Sequence, residues 1–425
     1  MTVSPQTMSP HQVRAVARVT SDSTDSSGPA ILLPRRRPGH LGPVHITQLL
    51  LAEVVVVGIL ASIASEIVAL IGGVVVAGFL LLLVTLGRRN GRWWLERRMM
   101  TRSYKRRRLS STASPFGDDP RLGALRRLAP DLIVENVSVA DGAHVGVARD
   151  DAGWYAVAAV TSSAPMRDEP GPIPLEALAA ALAEADQPGA VLQVVTQTVP
   201  APSLDMHPSS AAGQSYRQLL ARFGAVPVPA DRSTWIAVRL DARTLAEAVA
   251  DGEADLDTAP AVVAALVRRV AKSLRRVGVS HRLLDADELL EVLLRSCDLA
   301  PTASQSAEPV QPREDWSEWH SSRLAHRSYW IRGWPPVDQA AALLDWLATA
   351  PAAMTSLSLI MAPDDDKRMM DLRGLVRVAA PAEQMAQISQ AVQRGAEQAR
   401  ADLFPLDGEQ GPAVYASAPT GGGAR

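Results

Sequence analysis

From Ile46 to Leu86 the chain runs for 41 residues without a basic side chain and with only two acids, Glu53 and Glu66, in a block dominated by Leu, Val, Ile and Ala. Such a block has to be hidden from water, and its length restricts how. As one helix it would be about 60 Å long, twice the roughly 30 Å hydrocarbon core of a bilayer. Two spans fit, and the pattern predicts them at 46–64 and 67–86, with Ser65 and Glu66 in a tight exposed turn, so that both ends of a transmembrane hairpin lie on one side. Ser62 and Ala64 imitate a signal-peptide cleavage pair. The run nevertheless starts some 45 residues in and far exceeds the roughly 7 to 15 residues of a signal core.

Small residues recur at helical spacing within the block. Ala69, Gly73 and Ala77 form a packing face on the second span, and Gly58 and Ser62 offer one on the first. Faces of this kind let membrane helices approach closely. Glu53 would cost about 2.5 to 3.5 kcal/mol at the bilayer centre, which favours a position near the interface.

The flanks set the orientation. Arg35, Arg36 and Arg37 precede the block, and residues 88–108 hold ten basic side chains against one acid, Glu96. Basic flanks stay cytoplasmic, so both termini are expected on that side of the cell membrane. Arg88, Arg89, Arg92, Trp93, Trp94, Arg97 and Arg98 read as an anchoring collar. Trp favours the headgroup level, and each Arg gains about 1 kcal/mol from anionic lipid. The collar accounts for its charges without a nucleic-acid ligand. No breaker separates Arg92 from Leu109, so the second span is expected to continue as one helix.

The overall charge of −2, from 43 basic and 45 acidic residues, is an average of unlike parts. Residues 1–44 carry +3, the apolar block −2 and the collar +9, which leaves −12 for residues 109–425. The expected organisation is a disordered arm at 1–44, the hairpin at 45–87, a basic juxtamembrane helix and linker at 88–120, and a cytoplasmic body in two halves, 121–305 with a helical insert and 306–425 with a flexible C-terminal tail.

The body is expected to be α+β, with α/β-like layers. His144–Val147 and Trp154–Val160 flank Asp150-Asp151-Ala152-Gly153, a hairpin signal. Helices are expected at 174–185, 209–223, 244–251, 260–277 and 285–296, and strands at 191–199 and 234–241. In the 260–277 helix an apolar stripe opposes Arg268, Arg269, Lys272, Arg275 and Arg276. The last quarter predicts strand 328–333, helix 337–350, strands 355–362 and 372–380, helix 382–403 and a final strand 413–417. That is the β-α-β-β-α-β order of a ferredoxin-like unit. The first half echoes it, which suggests duplicated ferredoxin-like halves.

Chemistry is sparse. The three lysines, Lys105, Lys272 and Lys367, are not preceded by Gly, so a Gly-Lys-Ser/Thr phosphate loop is absent. The single cysteine, Cys297, cannot make an intramolecular disulfide. His320 and His326 are six apart and do not share a helix face. Asp364-Asp365-Asp366 follows a strand and matches the acidic pattern by which sugar-nucleotide enzymes hold a divalent metal. Asp255/Asp257 and Asp285/Asp287 match it as well, so it discriminates poorly, and an Asp-rich turn explains it. No catalytic residue, metal site or cofactor is expected. The alternative is a membrane-bound glycosyltransferase-like enzyme using Asp364 to Asp366. Tyr329, Trp330 and Trp334 concentrate aromatic residues in a chain only 4% aromatic. They fit either core packing beneath the last sheet or a partner interface.

The hairpin ending at Leu86, the segment Gly91-Arg92-Trp93-Trp94 and the strand Tyr329-Trp330-Ile331-Arg332-Gly333-Trp334-Pro335 before a helix resemble the EccE component of the type VII (ESX) secretion system of actinobacteria. The resemblance implies a non-catalytic subunit of an inner-membrane secretion complex beside EccB, EccC and EccD, with EccC as the ATPase. It supplies no catalytic residues to carry over.

Overall fold

The computed structural model describes residues 31–34, 40–41, 44–64, 73–81, 88–89, 92–110, 119–139, 142–161, 173–200, 209–223, 231–250, 256–299, 311–363 and 369–422. The chain divides into two compact units, one formed by residues 35–112 and the other by residues 1–34 with 113–425.

The larger unit opens with β1 (Ile31–Pro34), a strand inside the arm expected to be disordered. It pairs in parallel with the stretch Met369 to Leu372.

The smaller unit contains a short hairpin of β2 (His40–Leu41) and β3 (Val44–His45), α1 (Ile46–Ala64), a helix at 73–81 (α2), a second hairpin of β4 (Arg88–Arg89) and β5 (Arg92–Trp93), and α3 (Trp94–Ser110). Among the described residues no helix is long and apolar enough to cross a membrane. The collar is not one continuous helix. A hairpin of β4 and β5 precedes α3. The helices α1 and α2 meet at Gly58, one of the small residues expected on the first span, and at Gly78, which was not among those expected on the second. A Cβ at Gly78 would lie 2.7 Å from Val55 Cγ1, and one at Gly58 3.9 Å from Val74 Cγ1. Gly73 has nothing within 4 Å of such an atom, Ala77 is exposed, and Ala69 lies outside the described residues.

The rest of the larger unit is α+β around one sheet of 13 strands among the described residues. Its elements are α4 (Pro120–Leu125), β6 (Ile133–Ser138), β7 (His144–Asp150), β8 (Gly153–Val160), α5 (Leu175–Ala183), β9 (Ala190–Val199), α6 (Ala211–Phe223), β10 (Asp231–Asp241), α7 (Ala242–Ala250), α8 (Ala259–Arg276), β11 (His281–Leu283), α9 (Ala286–Ser296), β12 (Arg313–Glu314), β13 (Trp319–His320), β14 (Ala325–Gly333), α10 (Val337–Ala348), β15 (Met354–Pro363), β16 (Met369–Ala380), α11 (Ala382–Gln398), β17 (Asp402–Pro405) and α12 (Gln410–Ser417).

The strand order repeats. In the first half it is β11-β8-β10-β9, and in the second β17-β14-β16-β15. The second half follows the β-α-β-β-α-β order; the first has the same four strands in the same order but adds α6 between β9 and β10 and α7 before α8, and each half has a preceding strand, β7 or β13, on the same edge of its first strand. The halves join edge to edge where β9 runs antiparallel to β15, from Leu192 opposite Met361 to Thr198 opposite Thr355.

Period-two alternation on these strands assigns the layers. Ala156, Ala158, Leu192, Val194, Ile236 and Val238 pack under α5 and α8, while Tyr329, Ile331, Val376 and Val378 pack under α10 and α11. On the opposite face Tyr155, Val157, Trp235 and Ala237 meet α9, the α4 region and Val414 and Tyr415 of α12. Two expectations fail here. The run 413–417 is not a strand but part of α12, whose residues are buried nearly all round and so show no period in the sequence. The fourth strand of the second half is β17, since the preceding helix ends at Gln398, with Ala399 as its cap, and Arg400 takes a left-handed backbone (φ 60°) that turns the chain back.

Candidate functional site

The densest polar constellation lies on the α12 face of the sheet, across the seam between the halves. It starts with two polar residues set in apolar strands: Gln193 in β9 and Arg239 in β10, both buried. Neither can reach water, so each needs partners inside the fold.

Arg239 finds them in Asp150, at the end of β7. Its Nη1 donates to Asp150 Oδ1 at 2.7 Å and its Nη2 to Oδ2 at 2.5 Å. The β7–β8 turn helps position the carboxylate, because the Ala152 and Gly153 amides donate to Oδ1 at 2.9 and 3.1 Å. Tyr415 of α12 donates to Oδ2 at 2.9 Å, and its hydroxyl lies 2.9 Å from that of Tyr155. The remaining guanidinium donor, Nε, reaches the Thr420 carbonyl at 2.7 Å. Burial raises the affinity of both tyrosines for their protons, with the nearby Asp150 charge acting in the same direction.

Gln193 uses its whole amide. Nε2 donates to Ser358 Oγ at 2.6 Å and to the Ala416 carbonyl at 2.8 Å. Oε1 accepts from the amides of Thr420, Gly421 and Gly422 at 3.0, 2.6 and 3.1 Å. Gly421 and Gly422 adopt positive φ of 77° and 72°, where a side chain would be strained, and a Cβ on either would come within 2.4 Å of Arg239 or Ile360. The tail expected to be flexible is therefore fixed as far as Gly422, and its glycines serve the close approach. Ser356 of β15 completes the contact with a bond to the Ser417 carbonyl at 3.3 Å.

Chemically this site is saturated. The carboxylate is engaged on both oxygens, the guanidinium is a bidentate partner, and the tyrosines are enclosed, which leaves no group free to take or give a proton to a substrate. What it does is mechanical: residues 410–422 are pinned to both halves at once.

A second buried cluster surrounds His326. Its Nε2 lies 3.3 Å from Asp298 Oδ2, and its ring meets Trp319 edge to face at 5.1 Å. Asp298 also receives Arg323 Nη2 at 2.7 Å and Ser321 Oγ at 2.5 Å. Burial pushes the imidazole down to about 4 despite the carboxylate beside it. His320, by contrast, places Nε2 3.2 Å from Asp315 Oδ2.

The sequence-derived candidates are distributed as follows. Tyr329 is no surface residue. It is fully buried in the second-half core, with its hydroxyl 2.5 Å from Ser389 Oγ. Trp334 is half-buried on the same core, against the position of Gly374, and Trp330 is half-buried. An interface built from all three is thus corrected to core packing for Tyr329 and Trp334, because alternation along β14 and the chain after it turn these rings under α10 and α11. In the collar, Arg88, Arg89, Arg92 and Trp93 lie on the β4–β5 hairpin and Trp94 opens α3, where Arg97 is half-buried and Arg98 exposed. Asp364 to Asp366 and Asp255 fall outside the described residues. Asp285 caps α9 and Asp287 pairs with Arg121 at 2.8 Å, both structural uses. Among the described residues no group of His, Cys, Asp and Glu is arranged to hold a metal ion.

The residues that organise the seam, Asp150, Gln193, Arg239 and Tyr415, went unrecognised in the sequence. The usable signal was a Gln and an Arg in the middle of otherwise apolar strands, where an unpaired polar group would be costly.

Residues 228–331 match the family model described as "Putative type VII ESX secretion system translocon, EccE". The matched segment runs from just before β10 into β14 and includes Arg239, Asp298 and His326. No curated protein matches the chain.

Proposed function

We propose that this chain, of the EccE family over residues 228–331, is a membrane-anchored, non-catalytic structural subunit of a type VII secretion complex. The family match carries the reading. The smaller unit supports it: α1 and α2 expose Leu50, Val54, Val56, Val57, Leu60, Val75, Val76, Phe79, Leu80 and Leu81, an apolar surface that water tolerates poorly and lipid tails would cover. Two spans at 46–64 and 67–86 extend beyond the described residues. The Arg-rich segment after them would then lie at the headgroups and attract anionic lipid, with both termini cytoplasmic.

In this reading the acidic body contacts EccB, EccC and EccD type subunits, and the energy comes from EccC. The seam, which pins residues 410–422 to both halves, fits a scaffolding role. Two experiments test the proposal. Deleting residues 46–86 should release the chain from alkali-washed membranes, and retention would argue against the anchor. Replacing Asp364, Asp365 and Asp366 with Ala should leave secretion by the complex unchanged, whereas abolished secretion with an intact complex would point to chemistry at that turn.

A further inference from the structure

The second half of the sheet buries a cation with no carboxylate in contact among the described residues. Arg377, in β16, is fully buried and sits in register between Ser328 of β14 and Ser356 of β15. Its Nη2 donates to the Ser296 carbonyl in the last turn of α9. Its Nε and Nη1 have no partner among the described residues, and the same holds for the hydroxyls of Ser328 and Ser296 and for Gln410 Nε2. Gln410 belongs to the same place, because its Oε1 accepts from the Ser328 amide at 2.9 Å. Buried donors are nearly always satisfied, so five unmatched ones around Arg377 point to an acceptor that the described residues do not supply.

The charges indicate which acceptor. The carboxylate whose field Arg377 feels is Asp298, already engaged by Arg323, Ser321 and His326. His326 is neutral near pH 7, and burial pushes the Cys297 thiol up to about 12, so it keeps its proton. Asp298 is thus shared with the partly exposed Arg323, while the fully buried Arg377 guanidinium has no carboxylate within hydrogen-bond distance among the described residues, a setting in which a charge is expensive.

We propose that Arg377, Ser328, Ser296 and Gln410 bind a small monovalent anion of the halide type, chloride in the cell, as a structural counter-ion joining β14 and β16 to α9 and α12. A single charge needs balancing and the surrounding groups are donors, which suits a halide better than a multivalent oxyanion.

The test is thermal unfolding of the full-length, detergent-extracted chain in sodium chloride, bromide or gluconate at equal ionic strength. Chloride and bromide should raise Tm saturably over gluconate, by about 3 to 5 °C at roughly 100 times the dissociation constant. Gln410→Glu keeps the acceptor for Ser328 and supplies a fixed negative charge, so it should abolish the halide effect while matching or exceeding the wild-type Tm in gluconate. Arg377→Met should also lose the effect. Bromide-soaked crystals should give an anomalous peak within hydrogen-bond reach of Arg377 Nε. Equal Tm values in the three salts for the wild type would mean that only water satisfies these donors and would overturn the proposal. So would a halide gain that survives in Gln410→Glu.

Discussion

Asp150 and Arg239 form a buried ion pair, whose two halves are unequal to their sum. The pair itself adds little over a well-packed apolar pair, but either partner alone is a stranded charge. Asp150→Ala should therefore destabilise the body by about 3 to 5 kcal/mol in urea unfolding, and adding Arg239→Met should restore much of the loss. His326 gives a residue-level prediction with a sign. Its folded value is near 4 against 6.5 for the free side chain, held down by burial and by Arg377 and Arg323, against the opposing pull of Asp298. Between those values the unfolded chain binds the imidazole proton and the fold does not. Its stabilising neutral form is fully in place above about pH 6.5, and stability falls as pH drops from there towards 4, by up to about 1.4 kcal/mol per pH unit. His326→Gln should flatten that slope in urea titrations run across the window. An unchanged slope would place the titration elsewhere.

At the scale of elements, close approach decides which substitutions the packing tolerates. A Cβ on Gly146 of β7 would lie 2.4 Å from the backbone of Asp285, the residue that caps α9 with a reciprocal bond to Glu288. Gly146→Val should push α9 off the sheet and cost more than about 2 kcal/mol, seen as faster amide exchange across 286–296. This scale is also where the sequence was most legible. Strands such as β8, β9, β15 and β16 stand out because they are apolar-rich runs with Asp, Gly or Pro at their ends, and α8 shows because its apolar and Arg-rich faces separate. The elements that escaped are short or uniformly buried. β11 and β17 have three and four residues, and α12 has no polar face to mark its period. The seam was invisible for a different reason. Asp150, Gln193, Arg239 and Tyr415 are scattered over 265 positions, and their meeting depends on the β7–β8–β10–β9 pairing and on where α12 lands, which no local pattern encodes.

On the scale of the whole molecule, the body is two like halves made into one by a shared sheet and a C-terminal segment pinned to both. Calorimetry should give one transition for the body, and two resolved transitions would contradict the shared core. Gln193→Leu leaves the amides of Thr420, Gly421 and Gly422 buried without an acceptor, so it should lower stability by several kcal/mol, at about 1 to 3 kcal/mol per amide, and free residues 418–422 to exchange. The proposed scaffold role is tested on the intact complex. The direct measurement is gentle detergent extraction of membranes from cells that contain every subunit of the secretion complex, followed by native separation and detection of this chain. The account predicts that it migrates with the secretion ATPase in a high-mass assembly. Recovery as a lone monomer, with the ATPase complex intact beside it, would contradict it.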